Sequence, residues 1–491
     1  MYLTSGEVIA LSEYQDSANI IPSDRLIIVS NAEPYRHVHD GNTILQEKLP
    51  GGLTTGLDPM MRGTNNVWIA WGRGDADFEV TDEQSQITVP NEDDGYILRR
   101  LALSEEEKNG FYFGFANETL WPICHSFSSR ASFDRDHWEI YRRVNRRYAD
   151  AVLDILQPED RVWVHDYQLA LVPRMIREAR PKARIGLFWH IPWPSWEAVG
   201  ILPWREEIIK GLLGADFVGF HTPWLVHNFF DSVNKIGGTV NTYKSVASTG
   251  DHKATVRAIP LGVDVSFFKP TQAQKEKASQ LIESFNTERL ILSVDRLDYT
   301  KGIDKRIDAI SLFFEEHPEY RGRVTFIQRI SPSRGEVPEY QRMRRDIERR
   351  VGQVNGEFQR EEWMPIRYFY QYLPQQDLIP YYLAADVALI TPLIDGMNLV
   401  AKEYVATRDN GTLILSEFAG AADTLTEAIQ VNPYDTENVV KALLRALENP
   451  EAKQKKEFVR MKKKLCQMDV HWWCDRFLDE WELSLHSRLP S

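Results

Sequence analysis

The strongest constraint on the fold is a repeated alternation of short apolar runs with longer helical stretches. The apolar runs are 25–30, 161–165, 185–189, 217–220, 290–294, 324–328, 387–390 and 412–416. Near-continuous runs of this kind are typical of strands buried on both faces of a parallel sheet. In one intervening stretch, Tyr141, Val144, Tyr148 and Val152 recur at three- and four-residue steps, which predicts an amphipathic helix. The two successive series predict an α/β protein with two doubly wound, Rossmann-like domains.

The length of the chain also favours two domains, because 491 residues are too many for one hydrophobic core. We predict an N-terminal extension over 1–24, a first domain over 25–264, a second over 265–465 and a final helix over 466–491. That helix carries aromatic residues at four-residue spacing, a stripe that predicts packing rather than ligand binding. Ligands of open α/β sheets bind beyond the carboxyl ends of the strands, so two facing domains predict an interdomain cleft.

Composition excludes several classes of protein. A net charge of −13 argues against general nucleic-acid binding. The three cysteines, Cys124, Cys466 and Cys474, form no CxxC pair, which argues against a disulfide framework and a zinc site. The sequence shows neither a signal-peptide pattern near its start nor an apolar run of membrane-spanning length. We therefore expect a soluble, cytoplasmic protein.

Residues 395–403, Asp-Gly-Met-Asn-Leu-Val-Ala-Lys-Glu, form the most informative short stretch. Here an acid stands at a predicted strand exit, a glycine lets the backbone approach a ligand, and N–H groups are free at a helix start. Glu403 follows Asp395 by about two helical turns. The pattern suits a sugar nucleotide, with one acid for sugar hydroxyls, amides for the diphosphate and one acid for the ribose. A plain helix cap is the alternative for an acid in this position.

Further candidate residues follow other predicted strands. Arg296 and Lys301 lie five apart after the strand 290–294, where two cations can clamp a diphosphate and stabilise its departure; a solvated basic loop is the alternative. His190 ends the strand 185–189 before a proline-rich turn and is suited to bond a sugar hydroxyl. A structural histidine is the other interpretation.

Three weaker candidates complete the set. Asp166 stands at the exit of the strand 161–165, where it can accept hydrogen bonds from a sugar or cap the next helix. Gly52, in a Gly-Gly pair before a helical stretch, lets amides approach a ligand or simply forms a turn. Arg334 follows the strand 324–328 and can bind a phosphate or lie on the surface.

Six longer motifs carry a family resemblance. They span 162–167, 190–195, 211–216, 294–302, 395–403 and 431–435. In order and spacing they resemble the trehalose-6-phosphate synthase family of retaining glycosyltransferases (family 20), which includes glucosylglycerol-phosphate synthases. The resemblance covers about residues 25–435.

The resemblance implies a GT-B fold, with 25–264 binding the acceptor, 265–465 binding the nucleotide sugar and the final helix crossing back to the first domain. It implies transfer of glucose from UDP-, ADP- or GDP-glucose to a phosphorylated acceptor, with retention and without a cofactor or bound metal. Expected partners are therefore small-molecule substrates, with neither nucleic acid nor membrane. The oligomeric state stays open, a homo-oligomer included.

Site roles also follow from the resemblance. On the donor side, Arg296 and Lys301 hold the diphosphate and Glu403 binds the ribose, while Asp395 and His190 hold the glucose. The remaining donor contacts are Gly52, the amides of Asn398, Leu399 and Val400, and the backbone of Leu373 at the base. On the acceptor side, Asp166 binds hydroxyls, Tyr112, Trp121 and Arg334 surround the phosphate, and Trp71 is a further pocket aromatic. The catalytic set is His190, Asp166, Arg296 and Lys301.

Two positions depart from the family pattern. Where the family has Ser-Asn-Arg after the first strand, this chain has Ser30-Asn31-Ala32, so a cation for the acceptor phosphate is missing. Such a charge-assisted bond contributes about 1.5–3 kcal/mol. Arg36 is one substitute, and we expect Ala32→Arg to lower the acceptor's KM. Ile394 replaces a second arginine, next to an otherwise whole donor motif.

These features leave three functions open. Asn31 and the intact His-Ile-Pro motif at 190–192 favour glucose 6-phosphate as acceptor, giving α,α-trehalose 6-phosphate. The Glu33-Pro34-Tyr35 sequence and the motif 202–206 resemble glucosylglycerol-phosphate synthases, which use glycerol 3-phosphate. A catalytically silent regulator that binds sugar phosphates is the third hypothesis, motivated by Ala32 alone. The complete donor clamp argues against it.

Overall fold

The computed structural model describes residues 25–486 apart from 50, 92 and 334–337. Its strands are β1 Leu26–Ala32, β2 Tyr35–Asp40, β3 Thr43–Lys48, β4 Val67–Trp71, β5 Gln86–Val89, β6 Tyr96–Leu101, β7 Arg161–His165, β8 Arg184–Phe188, β9 Phe217–Phe220, β10 Thr239–Asn241, β11 Val246–Ser248, β12 Lys253–Ala258, β13 Arg289–Arg296, β14 Val324–Ser331, β15 Ile366–Tyr370, β16 Val387–Ile390, β17 Thr412–Ser416 and β18 Ile429–Val431.

The α-helices are α1 Gly52–Met61, α2 Glu105–Glu107, α3 Trp121–Cys124, α4 Arg135–Leu153, α5 Val172–Ala179, α6 Trp196–Val199, α7 Arg205–Leu212, α8 Pro223–Lys235, α9 Gln272–Phe285, α10 Ile303–Glu316, α11 Pro338–Phe358, α12 Gln375–Ala384, α13 Leu399–Thr407, α14 Thr436–Glu448, α15 Glu451–Gln467 and α16 Val470–His486. A π-helical segment, Lys108–Leu120, lies between α2 and α3.

Two sheets organise these elements. The first has the order β10-β11-β12-β9-β8-β7-β1-β4-β6-β5, parallel at its centre, with antiparallel pairs at both ends. The second, β15-β14-β13-β16-β17-β18, is parallel throughout. Central strands such as β7 and β17 are buried along their whole length, as expected of strands covered by helices on both faces. The predicted α/β class with parallel sheets is confirmed.

The eight strands predicted from apolar runs are all present, and so is the helix predicted around Tyr141. That helix, α4, begins after Asp134, whose carboxylate accepts hydrogen bonds from the N–H groups of Asp136 and His137. Its apolar stripe is buried against the first sheet. The first sheet ends with β12 and the second begins with β13, while the exact domain limits given above stay a prediction.

The final helix packs against the first sheet rather than the second. Phe477 stacks on Trp163 of β7 with ring centroids 4.3 Å apart and planes at 8°. Trp473 contacts the same indole at 5.3 Å, and Trp481, one turn after Phe477, is buried as well. The aromatic stripe is therefore packing, as the sequence predicts, and it covers one face of β7, β8 and β9.

The long helix α11 offers a test of local backbone energetics. A methyl group on Gly352, in the middle of this helix, would meet no atom within 4 Å. Because glycine loses more backbone entropy than alanine on entering a helix, Gly352→Ala is expected to stabilise the protein by about 0.5–1 kcal/mol. Thermal unfolding followed by circular dichroism measures this, and a lowered melting temperature would contradict it.

No helix in the described ranges combines the length and the apolar character needed to cross a bilayer. The predicted N-terminal extension, 1–24, lies outside the described residues.

Candidate functional site

A cleft of about 600 Å³ opens between the carboxyl ends of the two sheets. It is lined from the first sheet by residues that follow β1, β7 and β8, and from the second by residues that follow β13, β15 and β16. All the predicted donor and catalytic residues line it: Gly52, Asp166, His190, Arg296, Lys301, Leu373, Asp395, Asn398, Leu399, Val400 and Glu403. Residues far apart in the chain thus meet where open α/β sheets bind ligands.

An ion pair stands at the centre of the cleft. Lys301 Nζ lies 2.6 Å from Asp395 Oδ2, and the Asn398 side-chain amide donates to the same oxygen at 3.1 Å. Burial acts to raise the pKa of Asp395, but the charge of Lys301 and these hydrogen bonds outweigh it, so the pKa is lowered. Asp395 is therefore an anion that can accept hydrogen bonds from a polar ligand, and it is not a helix cap.

Arg296 is the second cation of the cleft. Its guanidinium carbon lies 5.5 Å from the centroid of the Trp121 ring, and its side chain is 49% exposed. Asp298 is 4.0 Å away, at the limit of an ion pair. A cation held over an indole face stays available to an incoming anion, because the aromatic ring supplies no competing carboxylate.

The start of α13 forms one wall of the cleft. Asn398 caps this helix, with its side-chain oxygen accepting from the N–H of Ala401 at 3.1 Å. The N–H groups of the first helical turn, at Leu399 and Val400, have no intrahelical partner and suit an anion. Gly52 faces Leu399 so closely that a Cβ at position 52 would lie 2.2 Å from Leu399 Cδ1. The glycine thus permits the two walls to approach.

Glu403 is held by two donors further along α13. Tyr382 donates its hydroxyl to one carboxylate oxygen at 2.6 Å, and Gln375 donates its amide to the other at 2.7 Å. Burial raises the pKa of Glu403, and the two hydrogen bonds oppose the rise. Leu373 lies beside this group, on the loop after β15.

Asp166 has a backbone conformation that is rare outside glycine. Its φ of 72° and ψ of 173° fall in a region that costs other residues about 1–3 kcal/mol. The carboxylate accepts from the backbone N–H of His190 at 3.1 Å. Burial raises its pKa to about 7, against the opposing effects of nearby backbone N–H groups and Arg296. Its side chain makes no capping hydrogen bond to the short helical turn that follows.

Three imidazoles lie near this carboxylate, those of His165 and His221 buried and that of His190 partly exposed. His165 Nδ1 is 3.2 Å from His190 Nε2, and the rings of His190 and His221 are 5.4 Å apart. Burial lowers the pKa of all three, that of His190 to about 3. His190 is therefore neutral and offers a hydrogen bond rather than a charge.

Two of the predicted acceptor aromatics occupy a neighbouring cavity. Trp71 and Tyr112 line a space of about 720 Å³ with Arg73 and Lys108. Their rings meet edge to face with centroids 5.8 Å apart. Trp121, the third predicted aromatic, lines neither this space nor the cleft and lies under Arg296. The predicted phosphate contact Arg334 lies outside the described residues.

Several residues of this region were not predicted from the sequence. His165 and His221 stand at the carboxyl ends of β7 and β9, and that position was the available signal. Lys402, within the motif 395–403, donates to the carbonyl of Leu261 at 2.6 Å and joins α13 to the segment after β12. Arg73, which follows the end of β4, was not singled out either.

Arg36 as a substitute for the missing arginine stays a prediction, since its charge acts on Tyr372 of the cleft lining while its side chain is paired with an acidic residue. Arg36 lies on the exposed hairpin β2–β3, where its guanidinium donates to Glu47 at 2.8 Å. Across the described ranges, no three histidine, cysteine, aspartate or glutamate side chains are grouped as ligands of a metal ion.

Two facing Rossmann-like sheets, with a charged cleft at the carboxyl ends of their strands, define the GT-B class of glycosyltransferase. The chain belongs to glycosyltransferase family 20, whose model matches residues 24–482.

Curated relatives agree in sequence along most of the chain. It is 40% identical over 480 residues to a trehalose-6-phosphate synthase of Mycolicibacterium gilvum, covering 94% of both proteins. It is also 40% identical over 470 residues to a bifunctional trehalose-6-phosphate synthase/phosphatase of Thermoproteus tenax. That match covers 92% of this chain and 63% of the relative, so the chain spans less than two thirds of the bifunctional protein.

Solved structures agree in fold. A structure described as trehalose-6-phosphate from E. coli bound with UDP-2-fluoro glucose superposes with a TM-score of 0.84 at 31% identity, covering 93% of this chain and 99% of that one. A UDP-forming α,α-trehalose-phosphate synthase from Burkholderia xenovorans, in complex with glucose-6-phosphate, gives 0.81 at 32% identity. Coverage there is 93% and 100%.

Proposed function

We propose that this protein transfers glucose from a nucleoside-diphosphate-glucose to glucose 6-phosphate, with retention, to give α,α-trehalose 6-phosphate. The observation that carries the proposal is the convergence of Arg296, Lys301, Asp395 and Glu403 in one cleft. Relatives and solved structures that are trehalose-6-phosphate synthases support it, one of them in complex with glucose-6-phosphate.

In this proposal the donor half of the cleft works by charge and position. Arg296 and Lys301 neutralise the diphosphate as the bond between glucose C1 and the phosphate oxygen breaks. The first-turn amides of α13 assist them, Glu403 binds the ribose, and the Leu373 backbone meets the base. Asp395 and neutral His190 orient the glucose by hydrogen bonds, and Gly52 leaves room for the donor.

In the acceptor half, Asp166 holds the hydroxyl groups beside C1 of the donor glucose. The acceptor oxygen attacks the face from which the diphosphate leaves, and its proton passes to the departing phosphate oxygen. Positioning supplies much of the acceleration in such a reaction. The half-buried carboxylate of Asp166 fits this task, because its backbone conformation and its hydrogen bond to His190 fix its position.

Product analysis tests the function. The protein is incubated with UDP-, ADP- or GDP-glucose and either glucose 6-phosphate or glycerol 3-phosphate, and the product is identified by NMR. Trehalose 6-phosphate supports the proposal, whereas glucosylglycerol phosphate replaces it with the second function. Failure to form either product, with sugar-phosphate binding retained, identifies a silent regulator.

The raised pKa of Asp166 predicts a pH dependence. If its ionised form holds the acceptor, kcat/KM rises with pH until about 7 and then levels off. Asp166→Asn is expected to lower kcat/KM and to remove this step. The acceptor phosphate also titrates near pH 6, but its titration is the same with the wild type and with Asp166→Asn. A step that persists unchanged in Asp166→Asn would assign the titration to another group.

The same shift affects stability. The folded protein holds the Asp166 proton above the ordinary pKa of 3.8, so ionisation is costlier in the folded state. The stability of the wild-type protein relative to Asp166→Asn therefore falls as pH rises from about 4 to about 7. Melting temperatures across this range provide an independent check.

We further propose that no metal is needed, since two cations already face the diphosphate position. Unchanged activity in EDTA is the expected result. A cytoplasmic location fits such a protein, because nucleotide sugars and sugar phosphates are its substrates. Light scattering distinguishes a monomer from a homo-oligomer.

A further inference from the structure

The cavity beside the cleft contains a cation that no motif predicts. Arg73 lies on the loop after β4, with its guanidinium carbon 4.7 Å from the Trp71 ring centroid and 5.4 Å from that of Tyr112. Its Nη2 is 3.5 Å from the carbonyl oxygen of Asn31, which lines the donor cleft. Arg73 is thus located where the aromatic cavity and the cleft adjoin.

This location is also close to the altered position of the first strand. Ala32 pairs with Trp71 in the parallel register of β1 and β4. Arg73 follows Trp71 by two residues, so it lies at the same end of the paired strands as position 32. Position 32 lines the cleft and Arg73 lines the adjoining cavity.

The loop that carries Arg73 is held by a buried ionic cluster. The Arg73 backbone N–H donates to Glu33 at 2.8 Å, and the other oxygen of that carboxylate accepts from Arg100 at 2.9 Å. Asp77 completes the cluster, 3.0 Å from Arg100, and the three side chains are fully buried. Glu33, next to Ala32, thus fixes the backbone from which Arg73 projects.

The surroundings of Arg73 suit an anion. Among the described residues, Arg73 forms no ion pair with a carboxylate, in contrast to Arg36 on Glu47. The indole N–H of Trp71 is buried and donates to no group in the described structure. Lys108 also lines the cavity, its Nζ 6.0 Å from the Trp71 ring, but it is paired with Glu105 at 2.6 Å. The Arg73 guanidinium, which has no carboxylate partner among the described residues, is therefore the group suited to bind a phosphate.

We propose that Arg73 binds the phosphate of the acceptor and replaces the arginine that is missing at position 32. This assignment rests on the proposed function, because the acceptor KM that tests it is measured in the proposed reaction. It makes Arg73 a determinant of specificity for a phosphorylated acceptor over the corresponding free sugar or polyol. Glu33 is then a positioning residue, acting through the Arg73 backbone.

Kinetics of Arg73→Ala provide the first test. KM for glucose 6-phosphate is expected to rise about 10- to 100-fold, the effect of losing one charge-assisted contact. KM for the nucleotide sugar is expected to change less than twofold. The acceptor KM of Arg73→Lys is expected to lie between those of the wild type and Arg73→Ala, because an ammonium keeps the positive charge but lacks the planar arrangement of donors in a guanidinium. An unchanged acceptor KM in Arg73→Ala overturns the proposal.

A second-site variant separates phosphate binding from a structural effect. Arg73→Ala combined with Ala32→Arg is expected to recover most of the lost acceptor affinity. Ala32→Arg is expected to lower KM far more in the Arg73→Ala background than in the wild type. Equal effects in both backgrounds would show that the two positions do not share one phosphate.

A matched control comes from the far side of the molecule. Arg323 is also exposed and lies over a tyrosine, with its guanidinium carbon 5.8 Å from the Tyr320 ring, but at the start of β14, away from the cleft. Arg323→Ala is expected to leave both KM values unchanged. A comparable rise in acceptor KM in this variant would overturn the assignment.

Direct binding distinguishes failure of this proposal from failure of the proposed reaction. Calorimetry with glucose 6-phosphate and with inorganic phosphate is carried out on the wild type and on Arg73→Ala. If the wild type forms no product but binds glucose 6-phosphate in an Arg73-dependent manner, the proposed phosphate site is supported and the proposed reaction is refuted. If Arg73→Ala binds both ligands as tightly as the wild type does, the proposed phosphate site is refuted, whether or not the protein is active.

Discussion

Arg296→Ala is expected to lower kcat about 10²–10³-fold, with little change in folding stability. Removing one preorganised group that stabilises developing charge typically costs about 2.7–4 kcal/mol in the transition state. The side chain is half-exposed over Trp121 and makes only a 4.0 Å contact with Asp298, so its removal is expected to cost little folding stability. Steady-state kinetics with saturating donor and acceptor measure the loss.

Lys301→Ala is expected to lower kcat by a similar factor and also to lower the melting temperature. The difference arises from Asp395, which would keep its buried carboxylate without the ammonium 2.6 Å away. Because burial is the largest influence on that carboxyl group, its pKa is expected to rise in the variant. A melting curve beside the kinetic measurement separates the two contributions.

The control for both variants lies on the same strand. Arg289, at the opposite end of β13, is 55% exposed and paired with Asp386 at 3.0 Å. Arg289→Ala is expected to leave kcat within about twofold, because surface ion pairs contribute little. Near-normal turnover in both Arg296→Ala and Lys301→Ala would refute the proposed handling of the diphosphate.

Gly396→Ala is expected to lower kcat/KM by about 10²-fold or more. A Cβ at this position would lie 2.6 Å from the backbone oxygen of His190, a clash, and 3.1 Å from the backbone carbonyl carbon of Ile191, a tight contact. Neither atom belongs to a flexible side chain, so the end of β8 and the loop after β16 must separate. Displacement of about 1 Å between reacting groups can cost this much activity.

The stability of Gly396→Ala is expected to fall by about 1–3 kcal/mol, the range for an overpacked site. Gly352→Ala is the matched control, since it adds the same methyl group in open space. Activity of Gly396→Ala within threefold of the wild type would show that the two walls of the cleft separate freely, contrary to the close packing seen here.

Much of the donor site was predictable because its determinants are local. The apolar runs fix which segments are buried strands, and the residues directly after those runs must then lie at the carboxyl edges of the sheets. Asp395 and Glu403 lie close together in the chain, with Glu403 in α13 and Asp395 on the short loop that leads into that helix. Arg296 lies at the end of β13 itself, whose last residues extend the predicted run.

The features that could not be predicted depend on contacts between residues that are distant in the chain. The Lys301–Asp395 ion pair forms only when several strand ends are brought together. The same is true of the cluster of His165, His190 and His221. Arg73 escaped notice because a single arginine between two glycines has no pattern of its own. Its significance depends on Trp71, Tyr112 and the Glu33 contact, all of which are tertiary.

Irregular elements were also beyond pattern analysis. The hairpin β2–β3 pairs polar residues near the surface, so no apolar run marks it. The segment Lys108–Leu120 is π-helical, and the periodicity used to recognise α-helices does not apply to it. Tyr112 lies within this segment, so its role was implied by the family resemblance and its position could not be predicted from helical periodicity.

The packing of α16 on the first sheet has a consequence for biosynthesis. Strands β7, β8 and β9 leave the ribosome long before the helix that covers one of their faces, since the whole second sheet is encoded in between. Trp163, Phe188 and Phe217 therefore stay uncovered on that face until Trp473 and Phe477 emerge. The nascent chain thus carries an uncovered apolar surface while the whole second sheet is synthesised, and this exposure favours aggregation.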